Sequence, residues 1–180
     1  MNPILIVAAA AAAAAAPDPA DDKDSDIIVT ASRQPVEARE STVPVQTVGQ
    51  EENRQVPDLP IAAEYLRGLA GVSVSVSGPK GSHTQVRIRG GEANHTLLFI
   101  DGIRFNDPAA GNEPRFELLT SDNLARIDVV RGPQSALWGS EAIGGVVSAF
   151  THEATAKPSI EALAETGSLD SGRLSGRASS

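Results

Sequence analysis

The sequence contains no cysteine and few aromatic residues. The absence of cysteine among 180 residues excludes disulfides, thiolate metal sites and cysteine nucleophiles. Aromatic residues make up only 3% of the chain, so a core has to be built mainly from Val, Ile, Leu and Ala. The chain has 15 Lys and Arg residues but 23 Asp and Glu residues, which gives a formal charge of −8. This charge argues against a general nucleic-acid-binding protein, which needs a basic face to meet phosphates.

The longest apolar run lies at the N-terminal end. Residues 4–16 are apolar and mostly alanine, and small, polar and acidic residues follow them. A membrane-spanning helix needs about 20 apolar residues, so this run is typical instead of a secretory signal. No Lys or Arg precedes the run, which leaves an alanine-rich tail as the alternative. We predict a signal peptide over residues 1–20.

Residues 21–42 are predicted to be a flexible linker, because their start is rich in Asp, Pro and Ala and has too few apolar side chains to fold. The linker contains four consecutive β-branched residues, which favour an extended backbone. Two interpretations stay open at this point: a strand that docks on the edge of the domain, or a peptide that joins another protein's sheet edge. The segment consists of Asp26, Ile27, Ile28, Val29, Thr30 and Ala31.

Residues 43–151 are predicted to form one α+β domain, a small mixed sheet with short helices. Asp58 can cap a helix, Pro60 suits its first turn, and Gly71 can end it. Residues 106–115 have the composition of a loop. After residue 151, weak alternation around a turn-like segment indicates a hairpin within residues 152–180. Strands are predicted over residues 42–49, 72–77, 84–90, 96–105, 125–132 and 144–151.

No pattern of an enzyme is present in the sequence. The histidines have no metal-ligand spacing, and the glycine-rich segments lack the ending of a phosphate loop. No serine lies in a Gly-x-Ser-x-Gly frame. We therefore expect no catalytic activity, metal site or cofactor, and an enzyme of unrecognised type would have to depend on one of His83, His95, Asp101 or Asp107.

Three arginines on apolar strands remain as candidates. Arg89 and Arg131 each close an apolar strand and are each followed by glycine, which lets another backbone approach closely. Arg87 alternates with the apolar residues of the same strand as Arg89. This repeated corner suggests cations that are placed to meet carboxylates.

Several motifs together resemble the plug domain of TonB-dependent outer-membrane receptors. They are "LAGVSVSVSG", "VRIRGG", "TLLFIDGIRFND" and "RIDVVRGPQSALWGSEAIGGVV", in the order and spacing of the family. The segment "DIIVTASR" resembles the family's energy-coupling box, and the form "GSEAIGGVV" is most similar to the cobalamin-transporter branch, although siderophore receptors share much of it. The chain departs from the family at three positions: Ala70 replaces Pro, Trp138 replaces Tyr, and Asp128 replaces Glu.

The resemblance implies a transport function. The plug would sit in the lumen of an outer-membrane barrel of about 22 strands, and residues 152–180 would begin that transmembrane β-barrel, which makes the chain an N-terminal fragment. TonB, with its inner-membrane energising complex, would capture the box as an added strand. A metal chelate, cobalamin or a ferric siderophore, would be the substrate; a stand-alone periplasmic plug that binds ligand or TonB is the alternative.

The resemblance also assigns roles to residues. We expect Arg87, Arg89 and Arg131 to form the contact between plug and barrel, where wall glutamates would pair with the arginines. Two polar loops, residues 78–84 and 106–115, would face the substrate. Their candidate residues are Gly78, Lys80, Gly81, Ser82, His83, Asn106, Asp107, Asn112 and Arg115.

Overall fold

The computed structural model describes residues 27–28, 36–37, 44–49, 61–122, 124–152, 158–166 and 172–179. The predicted signal peptide and most of the predicted linker lie outside these ranges. Within them, no helix is long and apolar enough to cross a membrane. The helices are α1 (Ala62–Leu66) and α2 (Ser135–Trp138), and the strands are β1 (Ile27–Ile28), β2 (Val36–Glu37), β3 (Val45–Gly49), β4 (Val72–Val76), β5 (Thr84–Ile88), β6 (Thr96–Ile100), β7 (Ile103–Arg104), β8 (Asn106–Asp107), β9 (Glu113–Pro114), β10 (Leu124–Arg131), β11 (Gly145–Thr151), β12 (Ser159–Thr166) and β13 (Gly172–Ser179).

A five-stranded mixed sheet forms the centre of the fold, with the order β3-β10-β11-β6-β7. Strand β10 runs antiparallel to both β3 and β11, whereas β11 and β6 are parallel. The strands β4 and β5 form a separate antiparallel pair. This mixed sheet with short helices confirms the predicted α+β fold.

The two faces of the central sheet pack against different layers. Leu98 joins the larger core cluster, which also takes in Leu66 of α1 and Val86 of β5. Its neighbours Leu97 and Phe99 alternate to the other face, where they pack with Ala142 and Trp138 of the segment around α2. A continuous apolar run in β6 therefore reflects burial on both faces.

The helix is much shorter than the sequence indicates. The sequence predicts one helix over residues 58–71, but α1 spans five residues and its N-cap is Ile61, which makes no side-chain cap bond. The predicted cap, Asp58, lies outside the described residues. The chain leaves the helix through turns that end at Gly71, where φ is +76°. Gly68 lies in this stretch, and the low helix propensity of glycine favours an early end.

The predicted single strand over residues 96–105 is a hairpin. Strands β6 and β7 pair antiparallel, and Asp101 and Gly102 form the two-residue turn with φ of +48° and +81°. Positive φ at both positions is what the favoured hairpin turn requires, and Asp-Gly is a typical sequence for it. The Asp101 carboxylate then accepts hydrogen bonds from the Thr151 backbone N–H at 2.9 Å and its hydroxyl at 2.8 Å. The predicted loop 106–115 likewise contains a small pairing, between β8 and β9.

Residues 159–179 contain the hairpin that the alternation predicts. Strands β12 and β13 pair antiparallel over eight residue pairs. One side is apolar and exposed, with Ile160 and Leu174 at 85% and 82% exposure. On the other side of β13, Arg173 forms an ion pair with Asp122, which precedes β10. The assignment of this hairpin to a barrel stays a prediction.

Candidate functional site

The two arginine–glycine corners lie against each other. Arg89 does not end β5 but follows it in a turn with φ of +54°, and its N–H donates to the Gly71 carbonyl at 2.7 Å. Its guanidinium lies over Gly132, where a Cβ would stand 3.0 Å from Nη1 of Arg89. A side chain at residue 132 would therefore displace this arginine. The sequence predicts two similar corners, and the fold places them together.

Arg131 ends β10 as predicted, and its side chain forms a hydrogen bond with the turn that follows α1. Its Nη1 donates to the Ala70 carbonyl oxygen at 2.5 Å. Its Nε is buried and has no hydrogen-bond partner among the described residues. No carboxylate of the described residues forms an ion pair with either Arg89 or Arg131. The charge of both guanidinium groups is therefore not neutralised within the described residues, which gives this corner a positive charge that a carboxylate can balance.

Glycines 144 and 145 bring β11 close to this corner. A Cβ on Gly144 would lie 3.1 Å from the His95 carbonyl oxygen, and one on Gly145 would lie 2.3 Å from the Val130 carbonyl oxygen. The Gly132 N–H also donates to the Gly144 carbonyl at 2.9 Å. The glycine pair is therefore explained by backbone packing beside the arginines.

Arg87 takes no part in the arginine–glycine corner. It lies on β5 with an exposed side chain, and its Nη2 donates to Gln85 Oε1 at 2.7 Å. Of the three predicted arginines, Arg89 and Arg131 share the corner, whereas Arg87 makes only this local bond within the described residues.

The two predicted polar loops meet at a second site. His83 Nε2 lies 3.0 Å from Glu113 Oε2, and the Thr84 N–H donates to Glu117 Oε2 at 3.3 Å. Gln85 also donates to Glu113 at 3.2 Å. An open cleft of about 560 Å³ lies beside these contacts. Its lining residues are Gly81, Arg104, Phe105, Asn106, Asp107, Arg115, Glu117 and Leu118.

An ion-pair network crosses the cleft. Arg115 Nη2 lies 2.7 Å from Asp107 Oδ2, and its Nη1 lies 3.3 Å from Glu117 Oε1. Hydrogen bonds from Arg115, and then from the Ala109 N–H, lower the pKa of Asp107. The same bond to Asp107 is the main cause that raises the pKa of Arg115. The lining of the cleft thus contains two positive and two negative side chains: Arg104, Arg115, Asp107 and Glu117.

The asparagines of the second loop have structural partners. Asn106 accepts from the Leu98 N–H at 3.0 Å and donates to the carbonyl oxygens of Thr96 and Asn112 at 3.1 and 2.9 Å. Asn112 adopts φ of +64°, and its Oδ1 accepts from Arg104 at 2.7 Å. Both residues thus hold the loop in place beside the cleft.

The remaining predicted loop residues lie at the rim. Gly78 and Ser82 face each other across the turn, since a Cβ on Gly78 would come within 2.7 Å of Ser82 Oγ. Gly81 lines the cleft, whereas Lys80 is exposed. No group of three or more potential metal-ligating side chains occurs among the residues that the structure describes.

Sequence reasoning missed four lining residues. Phe105 and Leu118 are 36% and 66% exposed, although large apolar side chains are normally expected in the core. Arg104 donates to Glu141 and thereby connects the cleft to the segment that follows α2. Glu117 is recognised as part of the cleft only from its hydrogen bonds with the Thr84 N–H and with Arg115. Spacing gives no signal for these residues, because a hairpin turn and a 3-10 turn direct them into the cleft.

The predicted coupling box is described only in part. Ile27 and Ile28 pair antiparallel with Glu37 and Val36, respectively. The segment therefore has a local strand partner, which the sequence does not predict. The other box residues, Asp26, Val29, Thr30 and Ala31, lie outside the described residues.

Comparison with known proteins gives consistent results. The family described as TonB-dependent Receptor Plug Domain matches residues 37–146. The vitamin B12 transporter BtuB of Vibrio vulnificus is 34% identical over 155 residues, which cover 85% of this chain and 25% of that protein. This chain thus spans about a quarter of the length of that relative.

Solved structures share the fold. FpvA of Pseudomonas aeruginosa, solved bound to pyoverdines, superposes with a TM-score of 0.70 at 21% identity, over 84% of this chain and 20% of that one. The siderophore receptor PirA of Acinetobacter baumannii gives a TM-score of 0.60 at 25% identity, over 84% of this chain and 23% of that one. The family match covers more than half of the chain and includes both arginine–glycine corners, so this chain belongs to the TonB-dependent receptor plug domain family.

Proposed function

We propose that this chain is the plug and energy-coupling region of an outer-membrane transporter that takes up cobalamin with energy supplied through TonB. The observation that carries the proposal is the 34% identity to a vitamin B12 transporter across 85% of the chain. Relatives of this kind are named as transporters and receptors, which supports a role without catalysis. Transport itself would require the longer protein of which this chain matches a quarter.

The arginine corner would anchor the plug in its barrel. Arg131 has a buried Nε that lacks an acceptor among the described residues, and Arg89 lies beside it over Gly132. A carboxylate from the barrel wall would neutralise the charge of these arginines through charge-assisted hydrogen bonds. Removing such a partner is costly when the charge stays buried, so this contact would keep the plug seated at rest.

The cleft between the loops would contribute to substrate contact. Exposed apolar side chains, Phe105 and Leu118, lie next to the balanced charges of Arg115 and Asp107. Ligand sites commonly combine apolar surface with a few polar groups that orient the ligand. This combination suits a large ligand with both apolar and hydrogen-bonding surface, as cobalamin has.

A ferric siderophore is the second candidate substrate. It is favoured by the 25% identity and the TM-score of 0.60 with a receptor that is named for siderophores. The stand-alone plug gains no support from relatives that are named as transporters and receptors. Uptake assays with labelled cobalamin and with ferric siderophores distinguish the two substrates directly.

The role of the box is tested by Ile28→Pro in the full-length receptor, expressed in cells that lack their own cobalamin receptor. Proline removes the N–H of residue 28 and restricts the residue before it, which disfavours an added strand. We expect cobalamin to bind the cells normally while energy-dependent uptake falls to background. Ile28→Thr is the matched control, because it keeps both the N–H and a β-branched side chain. Unchanged uptake by the proline variant would show that this segment does not couple transport.

A further inference from the structure

A polar row crosses three strands of the central sheet. Asp128 of β10 lies directly opposite Thr47 of β3 and Ser148 of β11 in the register. Asp128 is completely buried and Ser148 is 6% exposed. Residues opposite each other in a sheet lie on one face, so these three side chains form a continuous row.

The carboxylate of Asp128 depends on donors from its neighbours. The Thr47 hydroxyl donates to Asp128 Oδ1 at 2.9 Å. On the other side, Arg126 Nε lies 3.7 Å from Oδ2, while its guanidinium stacks on the Phe150 ring with 4.5 Å to the centroid. A buried carboxylate is costly without hydrogen bonds, so the Thr47 hydroxyl stabilises both the charge and the pairing of the two strands.

Strand β3, which carries Thr47, lies at the edge of the sheet, and β10 is its one partner among the described strands, over five residue pairs. Of its residues, only Val48 is buried, at 8% exposure. It is also the first strand of the central sheet that follows the coupling segment along the chain.

We propose that Thr47 and Asp128 are positioning residues that hold β3, the sheet strand nearest the coupling segment, on β10. This inference rests on the proposed function, because a pull on the box reaches the central sheet first at β3. The contact would set the threshold at which this strand leaves the sheet. Asp128 and Thr47 would act through the backbone of β3 and would touch no substrate.

The test is amide hydrogen exchange, measured by mass spectrometry on the full 180-residue chain. Thr47→Val keeps the shape of the side chain and removes its hydroxyl. We expect exchange in residues 45–49 to accelerate by about tenfold or more, as for the loss of a hydrogen bond to a charged group. Exchange in β11 should change far less.

Two further variants isolate the hydroxyl. Thr96→Val is the matched control, since Thr96 lies in the same sheet but its Oγ1 has no hydrogen-bond partner in the described part of the chain. Thr47→Ser keeps the hydroxyl and should keep β3 protected. Two outcomes would overturn the proposal: equal exchange in the two valine variants, or an equal acceleration in β3 and β11 of Thr47→Val, which would indicate general destabilisation. Fast exchange in Thr47→Ser would also overturn it, because it would assign the effect to the methyl group.

The exchange result is independent of transport. If the box does not couple uptake, the Ile28→Pro variant will transport normally while Thr47→Val still releases β3. If only the positioning contact is wrong, coupling will still depend on Ile28, but the valine variants at residues 47 and 96 will behave alike.

Discussion

Gly145→Ala should strongly destabilise the domain, because it would place a methyl group against the backbone of the neighbouring strand. A Cβ on Gly145 would stand 2.3 Å from the Val130 carbonyl oxygen and 2.9 Å from Ile88 Cδ1. The isoleucine side chain can rotate, but the carbonyl belongs to the central strand β10. The distance between the new Cβ and the carbonyl oxygen would have to increase from 2.3 Å to at least 3.0 Å. Strands β10 and β11 would therefore have to move apart by about 0.7 Å at this point.

Such a shift affects pairing on both sides of β11. Gly145 is opposite Arg131 in β10 and Thr96 in β6, so the displacement would disturb both edges of the strand. Overpacking a core typically costs about 1–3 kcal/mol, and a rigid backbone contact places this change toward the upper end. The free energy of unfolding in urea should therefore fall by about 3 kcal/mol.

Trp138 reports this unfolding transition. Its ring packs on Phe99 with 4.7 Å between centroids, and it is the only tryptophan of the chain, so its fluorescence follows the loss of this contact. Gly49→Ala is the control, because nothing lies within 4 Å of a Cβ there and its φ is not in the left-handed region. Equal stability of the two alanine variants would refute the account of the glycine pair.

Two further predictions concern the arginines and the cleft. Arg131→Ala removes the bond to the Ala70 carbonyl, so the isolated chain should lose only about 1 kcal/mol in urea unfolding, whereas in the full-length receptor the plug should become markedly more accessible to protease; equally small effects in both settings would contradict an external carboxylate partner. Hydrogen bonds from Arg115 lower the pKa of Asp107, so the contribution of its carboxylate to loop order is fully present above the unfolded pKa of about 4 and is lost as the pH falls through the lower folded value. Exchange of amides 106–115 in acid should therefore rise in the wild type below about pH 4, while Asp107→Asn should show no such transition.

The sequence predicts strands best where one face is buried and the other is not. Strand β5 shows this clearly, since Val86 and Ile88 are buried while Arg87 is exposed. Strand β6 is also predicted, but burial on both faces produces a continuous apolar run without alternation, and the predicted end of the strand at residue 105 is wrong. Such a run does not indicate where the strand ends, although Asp-Gly at residues 101 and 102 is typical of a hairpin turn.

The candidate site is only partly encoded in local patterns. Arg89 and Arg131 are recognisable because each combines an apolar strand with a following glycine. Their proximity depends on long-range packing of β5 against the central sheet, which spacing along the chain does not reveal. Asp128 illustrates the same limit: in the sequence it is only a departure from the family's usual Glu, and its role appears when the register places it opposite Thr47.

Strand β10 connects the two features on which the proposed function depends. Its centre carries Asp128, which holds β3, and its end carries Arg131, which lies in the arginine corner. The Arg131 N–H also meets the Pro44 carbonyl, just before β3, at a long 3.4 Å. Under the proposed function, a pull on the coupling segment acts first on this end of β3 and therefore beside Arg131. Release of β3 would then remove a donor from the buried Asp128, and β10 would lose support at its centre and at the corner together.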